Sequence, residues 1–468
     1  MKKIHLRQQV RELLADMLTP VGIYLKLRDH FPHSFLLESS DYHGQENSFS
    51  FICLEPIAFF RMAAGELTQQ FPNEDPRRLT PPTPESVPEL LNNFLQFFHY
   101  DQANNPLNMN GVFGYNSFDA IRYFERIAVK DGSQAPNYIP EIQYHFFRFL
   151  IAIDHFQNRL LLIENLLEGE QSRSDQIINL LQSRNFSAYP FRTHGTEESP
   201  ITDEDFKALV RKAKHHCRRG DVFQVVFSRP FQQSFRGDDF NVYRALRSIN
   251  PSPYLFYFDY GGFRLFGSSP EAQLVVKEGK ATIHPIAGTF RRSGDDATDQ
   301  QLAKALSEDH KENAEHIMLV DLARNDLSRN ADQVTVEVFK EVQFYSHVIH
   351  LVSKVSGTLK PRTHTVRVLA DSFPAGTLSG APKYRALELI RDYEQQNRSY
   401  YGGSIGYLGF DGTCNQAILI RSFLSKDNTL HYQAGAGLVD DSQEESETEE
   451  VGNKMAALRR AIVQAEEI

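Results

Sequence analysis

Tryptophan is absent from all 468 residues, although phenylalanine occurs 35 times and tyrosine 19 times. Cysteine is scarce: Cys53, Cys217 and Cys414 are odd in number and far apart. That pattern excludes a disulfide framework and a cysteine-ligated zinc site. It points to a reducing compartment, so a cytoplasmic location is expected. No run approaches the roughly 18 apolar residues of a membrane-spanning helix. The opening MKKIHLRQQVRELLADML carries charge without a continuous apolar core, unlike a signal peptide. Basic residues are not in excess either. The count of 60 acidic against 50 basic side chains leaves a net charge of −10, which argues against nucleic-acid binding and against docking on anionic membranes. An anionic ligand would need local attraction from a metal, an arginine or aligned backbone N–H groups.

What is present is ordinary for a globular chain: 41% hydrophobic and 24% charged residues. The length allows two to four domains at roughly 100–200 residues each. Six prolines between residues 72 and 88 predict an exposed connector. Apolar spacing of three and four predicts a helix over 89–100. GVFGYNSFDAIRYFE (111–125) begins with glycines and turns helical, YHFFRFLIAIDH (144–155) predicts a buried strand, and a short helix is expected near 174–183. Residues 184–201 lack periodicity and are taken as the boundary between an N-terminal region (1–190) and a C-terminal one (200–468).

The C-terminal region opens with a helix over 203–219, capped by Thr202 with Asp205 and ended by Gly220. Its basic cluster (Arg211, Lys212, Lys214, Arg218, Arg219) reads as a solvated face or a partner surface. Short strands are expected at 222–228, 254–260, 263–268 and 273–278, and a long helix at about 308–327. A strand at about 344–356 and a helix at about 383–394 follow, then strands at 403–410, 416–424 and 430–434. Strands come in runs rather than in alternation with helices, which predicts an α+β fold with largely antiparallel sheets flanked by helices.

Five features could carry chemistry. Glu312 and Glu315 lie three apart on one helix face, and Glu447 and Glu450 repeat the spacing, with Lys454 one turn on. Two such pairs could offer oxygens to a hard cation such as Mg²⁺; the second pair also reads as a solvated helix start. Glycine-rich stretches (IAGTF, PAGTLSGAPK, YGGSIGYLG, QAGAGLVDDS) could be anion nests or plain hairpin turns. GTLSGAPK lacks the Gly-Lys-Ser/Thr ending of a phosphate loop, so nucleotide binding is rejected. His350, inside a predicted strand, is either a structural residue or an acid or base. Glu271 follows a proline turn and would be a general acid if buried. Arg421, in ILIRSF, needs an anionic partner.

At these residues the chain resembles a known family. PIAGTFRR, AEHIMLVDLARNDLSR, HLVSKVSGTL, GTLSGAPK, YGGSIGY and QAGAGLVDDS, in that order, resemble the chorismate-utilising enzymes, and within them the first component of anthranilate synthases. The resemblance is dense over about 202–465 and extends through LLESSD (36–41) and GVFGYNSFD (111–119). It implies a chorismate-binding fold with an N-terminal regulatory portion. It also implies Mg²⁺ on Glu315 and Glu450, with Glu312 and Glu447 as supporting or water-mediated ligands. Tyr401 and Arg421 would hold the enolpyruvyl carboxylate, with N–H groups of Gly435 and Gly437 near it. Gly288, Thr289 and Thr377 would line the ring pocket, and Lys454 would sit beside the metal. Glu271 would protonate the departing 4-hydroxyl, and His350 would serve the loss of pyruvate.

Within the family, isochorismate and salicylate synthases carry a water-activating lysine where this chain has Gln224, and aminodeoxychorismate synthases usually carry a lysine nucleophile where it has Ala287. Both positions favour an anthranilate product; an aminodeoxychorismate synthase component is the alternative, and a non-catalytic chorismate-binding scaffold a more distant one. The missing tryptophan fits an enzyme that is translated when tryptophan is scarce. No Cys–His pair of a glutamine amidotransferase is visible, so ammonia would come from a separate amidotransferase subunit in a hetero-oligomer. LLESSD and NPSPYLFYF (250–258) resemble the family's regulatory tryptophan pocket, with Glu38 and Ser39 for the amino group and Pro251, Pro253 and Tyr254 around the indole. L-Tryptophan is thus an expected inhibitor.

Overall fold

The computed structural model describes residues 3–39, 49–100, 107, 109–183, 185–344 and 348–468. Two long antiparallel strands, Phe49–Ala63 and Ile142–Asp154, form its spine. All of Ile142–Asp154 is buried, because strands pair along both of its edges and both faces are covered. One arm of strands leaves through Phe35–Glu38, then Tyr254–Asp259, Arg264–Ser269, Ser422–Lys426 and Thr429–Leu438, and reaches Gln224–Gly237. The other leaves through Gly111–Asn116, then Ser404–Gly409, Cys414–Ile418 and Ala272–Lys277, and reaches Val348–Leu359 by way of Lys280–Ile283. Apart from the parallel pair Ile4–Leu14 with Phe98–Tyr100, the described pairings are antiparallel. The α+β expectation with largely antiparallel sheets therefore holds. Both arms run between the N- and C-terminal regions.

Several elements differ from expectation. The helix expected over 89–100 is Val87–Gln96, and Phe98–Tyr100 is a strand. Gly111–Asn116 is a strand before the short helical turn Phe118–Phe124. Residues 184–201 include the strand Phe191–Glu198, which pairs with Gln224–Gly237; beyond Phe191 it is almost wholly exposed, so no apolar alternation marks it. Helices Phe240–Ile249 and Asp296–Glu308 and the strand Ala331–Phe344 were not anticipated. The strand expected at 344–356 is Val348–Leu359, and residues 345–347 lie outside the described residues. Ser40 and Asp41 of LLESSD lie outside them too.

The helix Asp203–Arg218 has the expected capping box: Thr202 and Asp205 satisfy each other's backbone N–H groups. Its basic cluster is partly used within the chain. Arg218 Nε lies 2.6 Å from Asp440, Lys214 Nζ donates to the Ser442 carbonyl at 2.6 Å, and Arg211 pairs with Glu444. These bonds pin the start of the C-terminal helix Glu444–Ala465, which carries Glu447 and Glu450.

A candidate active site between two helix starts and two sheet arms

The helix His310–Ser328 begins at Asp309, whose carboxylate accepts the Glu312 N–H at 2.9 Å. Glu312 is thus in the first turn and Glu315 one turn on. Glu447 lies in the first turn of Glu444–Ala465, with Glu450 one turn on. Helix N-termini are partly positive, so both starts favour carboxylates there. All four glutamates line one cavity of about 1550 Å³. Lys454 also lines it, 2.7 Å from Glu450 and donating to the Gly435 carbonyl at 2.9 Å.

The opposite wall comes from the sheet. Glu271, Gly288, His350, Thr377, Tyr401, Arg421, Gly435 and Gly437 all line the same cavity. Thr377, in the turn Gly376–Leu378, donates its hydroxyl to Glu271 Oε1 at 3.2 Å. Burial pushes the Glu271 carboxyl up to about 8, against the Thr377 hydrogen bond and the Arg421 charge. Arg421 is not inside a continuous strand, as its apolar neighbours suggested. It separates Cys414–Ile418 from Ser422–Lys426 with φ 48°, a left-handed backbone that turns its side chain to the cavity. Burial lowers its basicity and the Glu271 charge opposes that. Tyr401 is buried, which raises its phenol.

His350 Nδ1 bonds the Gly288 carbonyl at 2.8 Å. A carbonyl only accepts, so Nδ1 carries the proton and Nε2 the lone pair. Burial pulls this histidine down to about 4, so the ring is neutral at pH 7. Gly288 sits at a bulge opposite His350 with φ 66°. A Cβ there would come 2.7 Å from Leu306 and 3.2 Å from a Glu312 oxygen. The backbone of Thr289 pairs with His350; its side chain lies outside the described residues.

Gly435 and Gly437 lie within the strand Thr429–Leu438, not in the turn that their glycine-rich stretch predicts. The reason for glycine at 437 is close approach: a Cβ there would stand 2.3 Å from Gln224 Nε2. That amide in turn donates to Glu315 Oε1 at 3.1 Å. This Gln224–Glu315 contact was invisible in sequence, where the residues are 91 positions apart.

Among the described residues, no group of three or more His, Cys, Asp or Glu is close enough to hold a metal ion as arranged. The chemistry of the donors nevertheless suits a hard cation. Glu312 is raised by burial and by the charges of Glu315, Asp309 and Glu450, and Glu447 by burial and Glu450. Glu447 Oε2 is buried without a hydrogen-bond partner among the described residues. Oxygen-only ligands with an orphaned buried acceptor fit Mg²⁺.

The expected tryptophan residues lie apart: Glu38, Ser39, Pro251, Pro253 and Tyr254 do not line this cavity, although Asn250 does. Glu38 pairs in register with Leu255 and is held by Arg247, at 2.8 and 2.9 Å, and by the Tyr243 hydroxyl. An incoming ammonium group would have to share or displace that guanidinium.

Residues 33–460 match the family of chorismate binding enzymes, and the chain belongs to that family. Over 478 aligned residues it is 36% identical to anthranilate synthase component 1 of Aquifex aeolicus (strain VF5), covering 97% of this chain and 94% of that one. Its structure matches anthranilate synthase component I from Streptococcus pneumoniae TIGR4 with a TM-score of 0.77 at 30% identity, covering 96% and 99% of the two chains. The menaquinone-specific isochorismate synthase of Escherichia coli shares the fold, with a TM-score of 0.73 at 20% identity over 99% and 96%. No described helix is long and apolar enough to cross a membrane.

Proposed function

We propose that this chain converts chorismate and ammonia to anthranilate, pyruvate and water. The observation that carries the choice of product is Ala287, which lines the cavity: it offers no amine for covalent attack, so ammonia itself adds at C2. As the C2–N bond forms, the ring double bonds shift and the C4–O bond breaks. Glu271, protonated at neutral pH because burial holds it at about 8, gives its proton to the leaving hydroxyl. In the second step the C2 proton is lost and the enolpyruvyl oxygen departs, leaving an aromatic ring. Neutral His350, with its lone pair on Nε2, suits this step as a base. Arg421 and Tyr401 bind the enolpyruvyl carboxylate.

Glu315 and Glu450, supported by Glu312 and Glu447, would hold Mg²⁺. The ion neutralises charge and anchors the ring carboxylate when bound. Gln224 fixes the Glu315 carboxylate by its amide N–H. Ammonia is supplied by a separate glutamine amidotransferase subunit, and L-tryptophan bound near Glu38, Ser39, Pro251, Pro253 and Tyr254 inhibits.

The test is product identity. Incubation with chorismate, Mg²⁺ and ammonium is expected to give fluorescent anthranilate, confirmed by mass. Accumulation of 4-amino-4-deoxychorismate, or unconsumed chorismate, would sink the proposal. The rate at constant free ammonia should fall as pH rises through about 8, where Glu271 loses its proton.

A further inference from the structure

Arg398 is the largest fully buried side chain among the described residues, 1% exposed; it does not line the site cavity but, with Glu394 and Phe118, backs a separate small pocket. A guanidinium so far from water needs all its donors engaged. Its Nε and Nη2 make a two-pronged contact with Glu394 at 2.8 and 2.7 Å. Nη1 donates to the Leu378 carbonyl and Nη2 to the Val226 carbonyl, both at 2.6 Å. The cation lies 4.6 Å from the Phe118 ring centre and 5.9 Å from that of Tyr401. Glu394 also accepts the Ser228 N–H and hydroxyl, at 2.8 and 2.9 Å, and that hydroxyl accepts from Gln433 at 2.6 Å.

Four residues of this network share one property. Val226, Leu378, Tyr401 and Gln433 all line the site cavity, yet they come from four separate segments. Leu378 ends the one-turn helix Gly376–Leu378 that carries Thr377, and Thr377 donates to Glu271. Such a short turn makes few bonds of its own, so the guanidinium on its last carbonyl fixes where the Thr377 hydroxyl stands.

We propose that the Arg398–Glu394 pair is a positioning device for the reaction: by clamping the Leu378 carbonyl it holds Thr377 against Glu271. The proposal rests on the reading of Glu271 as proton donor. Two charged groups beyond water can do this because an arginine fork has fixed directions; a lysine at 398 supplies charge without that geometry. The groups facing Glu271 are the Thr377 hydroxyl, which stabilises the carboxylate, and Arg421. Loosening Thr377 removes a stabiliser of the charged form. The Glu271 proton is then held more tightly, and the alkaline limb of the kcat profile moves to higher pH.

The experiment compares pH profiles of kcat, at constant free ammonia, for the wild-type chain, Arg398→Lys, Glu394→Gln, Thr377→Val and the double variant Arg398→Lys/Thr377→Val. Thermal melting first establishes that each is folded. Should Arg398→Lys not fold, Glu394→Gln has the native shape and carries the same readout. The expected result is a kcat about 10- to 100-fold lower in Arg398→Lys and Glu394→Gln, with the alkaline limb displaced upward as in Thr377→Val. The double variant should show no further displacement. A folded Arg398→Lys or Glu394→Gln whose limb stays at the wild-type pH while that of Thr377→Val moves overturns the positioning role alone. If Thr377→Val moves nothing either, the assignment of Glu271 fails and this proposal with it.

Discussion

The two walls of the cavity are built in opposite ways. On the sheet side, the titratable groups already have partners: Glu271 holds Thr377, His350 holds the Gly288 carbonyl, and Arg421 and Glu271 offset each other's burial. On the helix side, four carboxylates line the same cavity, and Glu312 and Glu447 are raised by burial and by their neighbours' charge. Gln224 and Lys454 relieve only part of that repulsion. On the proposed reading, the first wall is set for proton transfer before anything binds, and the second would be completed by a cation. On that same reading, the contrast would let a chain of net charge −10 accept a dianion: arginine would serve one end, and a cation on the glutamates at the helix starts would serve the other.

The largest break comes on the organised wall. Glu271→Gln keeps the shape and removes the proton. It should lower kcat by about 100- to 10,000-fold, with chorismate consumption and anthranilate formation lost together, measured by mass and fluorescence. Near-normal turnover would remove Glu271 from the mechanism.

On the helix wall the effect should appear as metal dependence. Glu315→Gln should weaken the apparent Mg²⁺ affinity by at least about 100-fold. Mg²⁺ should raise the melting temperature of the wild-type chain, since an ion that binds only the folded state stabilises it, and Glu315→Gln should abolish that rise. A wild-type chain fully active in excess chelator would contradict this reading of the four glutamates.

A finer cut separates the two steps. His350→Ala should slow pyruvate release by about 100-fold while chorismate is still consumed, so 2-amino-2-deoxyisochorismate accumulates. If consumption of chorismate stops altogether, His350 does not belong to the second step alone. Because His350 is already neutral above about 4, the wild-type rate should show no acid limb from it between pH 5 and 7.

The smallest expected effect lies outside both walls. Ser39→Phe should raise the tryptophan concentration needed for half-inhibition about tenfold or more, while the rate without tryptophan changes little. Unchanged inhibition in that variant would move the regulatory site elsewhere. The way from that site to the cavity is short, because Asn250 at the end of Phe240–Ile249 lines the cavity and Pro251 follows it.

Much of the site was legible before the fold. The repeated spacing of three placed Glu312 with Glu315 and Glu447 with Glu450, because helix geometry is local. The capping box at Thr202 and the stop at Gly220 were legible for the same reason. The carboxyl at 271 and the histidine at 350 drew notice as polar groups next to apolar strands. Motif order tied them to one family. Edges of elements read less well: Phe98–Tyr100 continues an apolar pattern, yet pairing with Ile4–Leu14 makes it a strand. Ala331–Phe344 alternates exposed and part-buried residues, with Val334, Val336 and Val338 on one face, so its period is legible in the sequence although no expectation covers it.

By itself, the sequence determined which side chains are available, which helices carry them and at what spacing. Those properties depend on neighbours within a few residues. The tertiary structure alone decided that Glu271 is acidic only near pH 8, since desolvation depends on what covers the group. It alone broke the strand at Arg421, joined Gln224 to Glu315 and set Arg398 against the Leu378 and Val226 carbonyls. Each of these is a contact between residues distant along the chain. No local pattern encodes such a contact, because it exists only once the sheet arms and helix starts have closed around a common space.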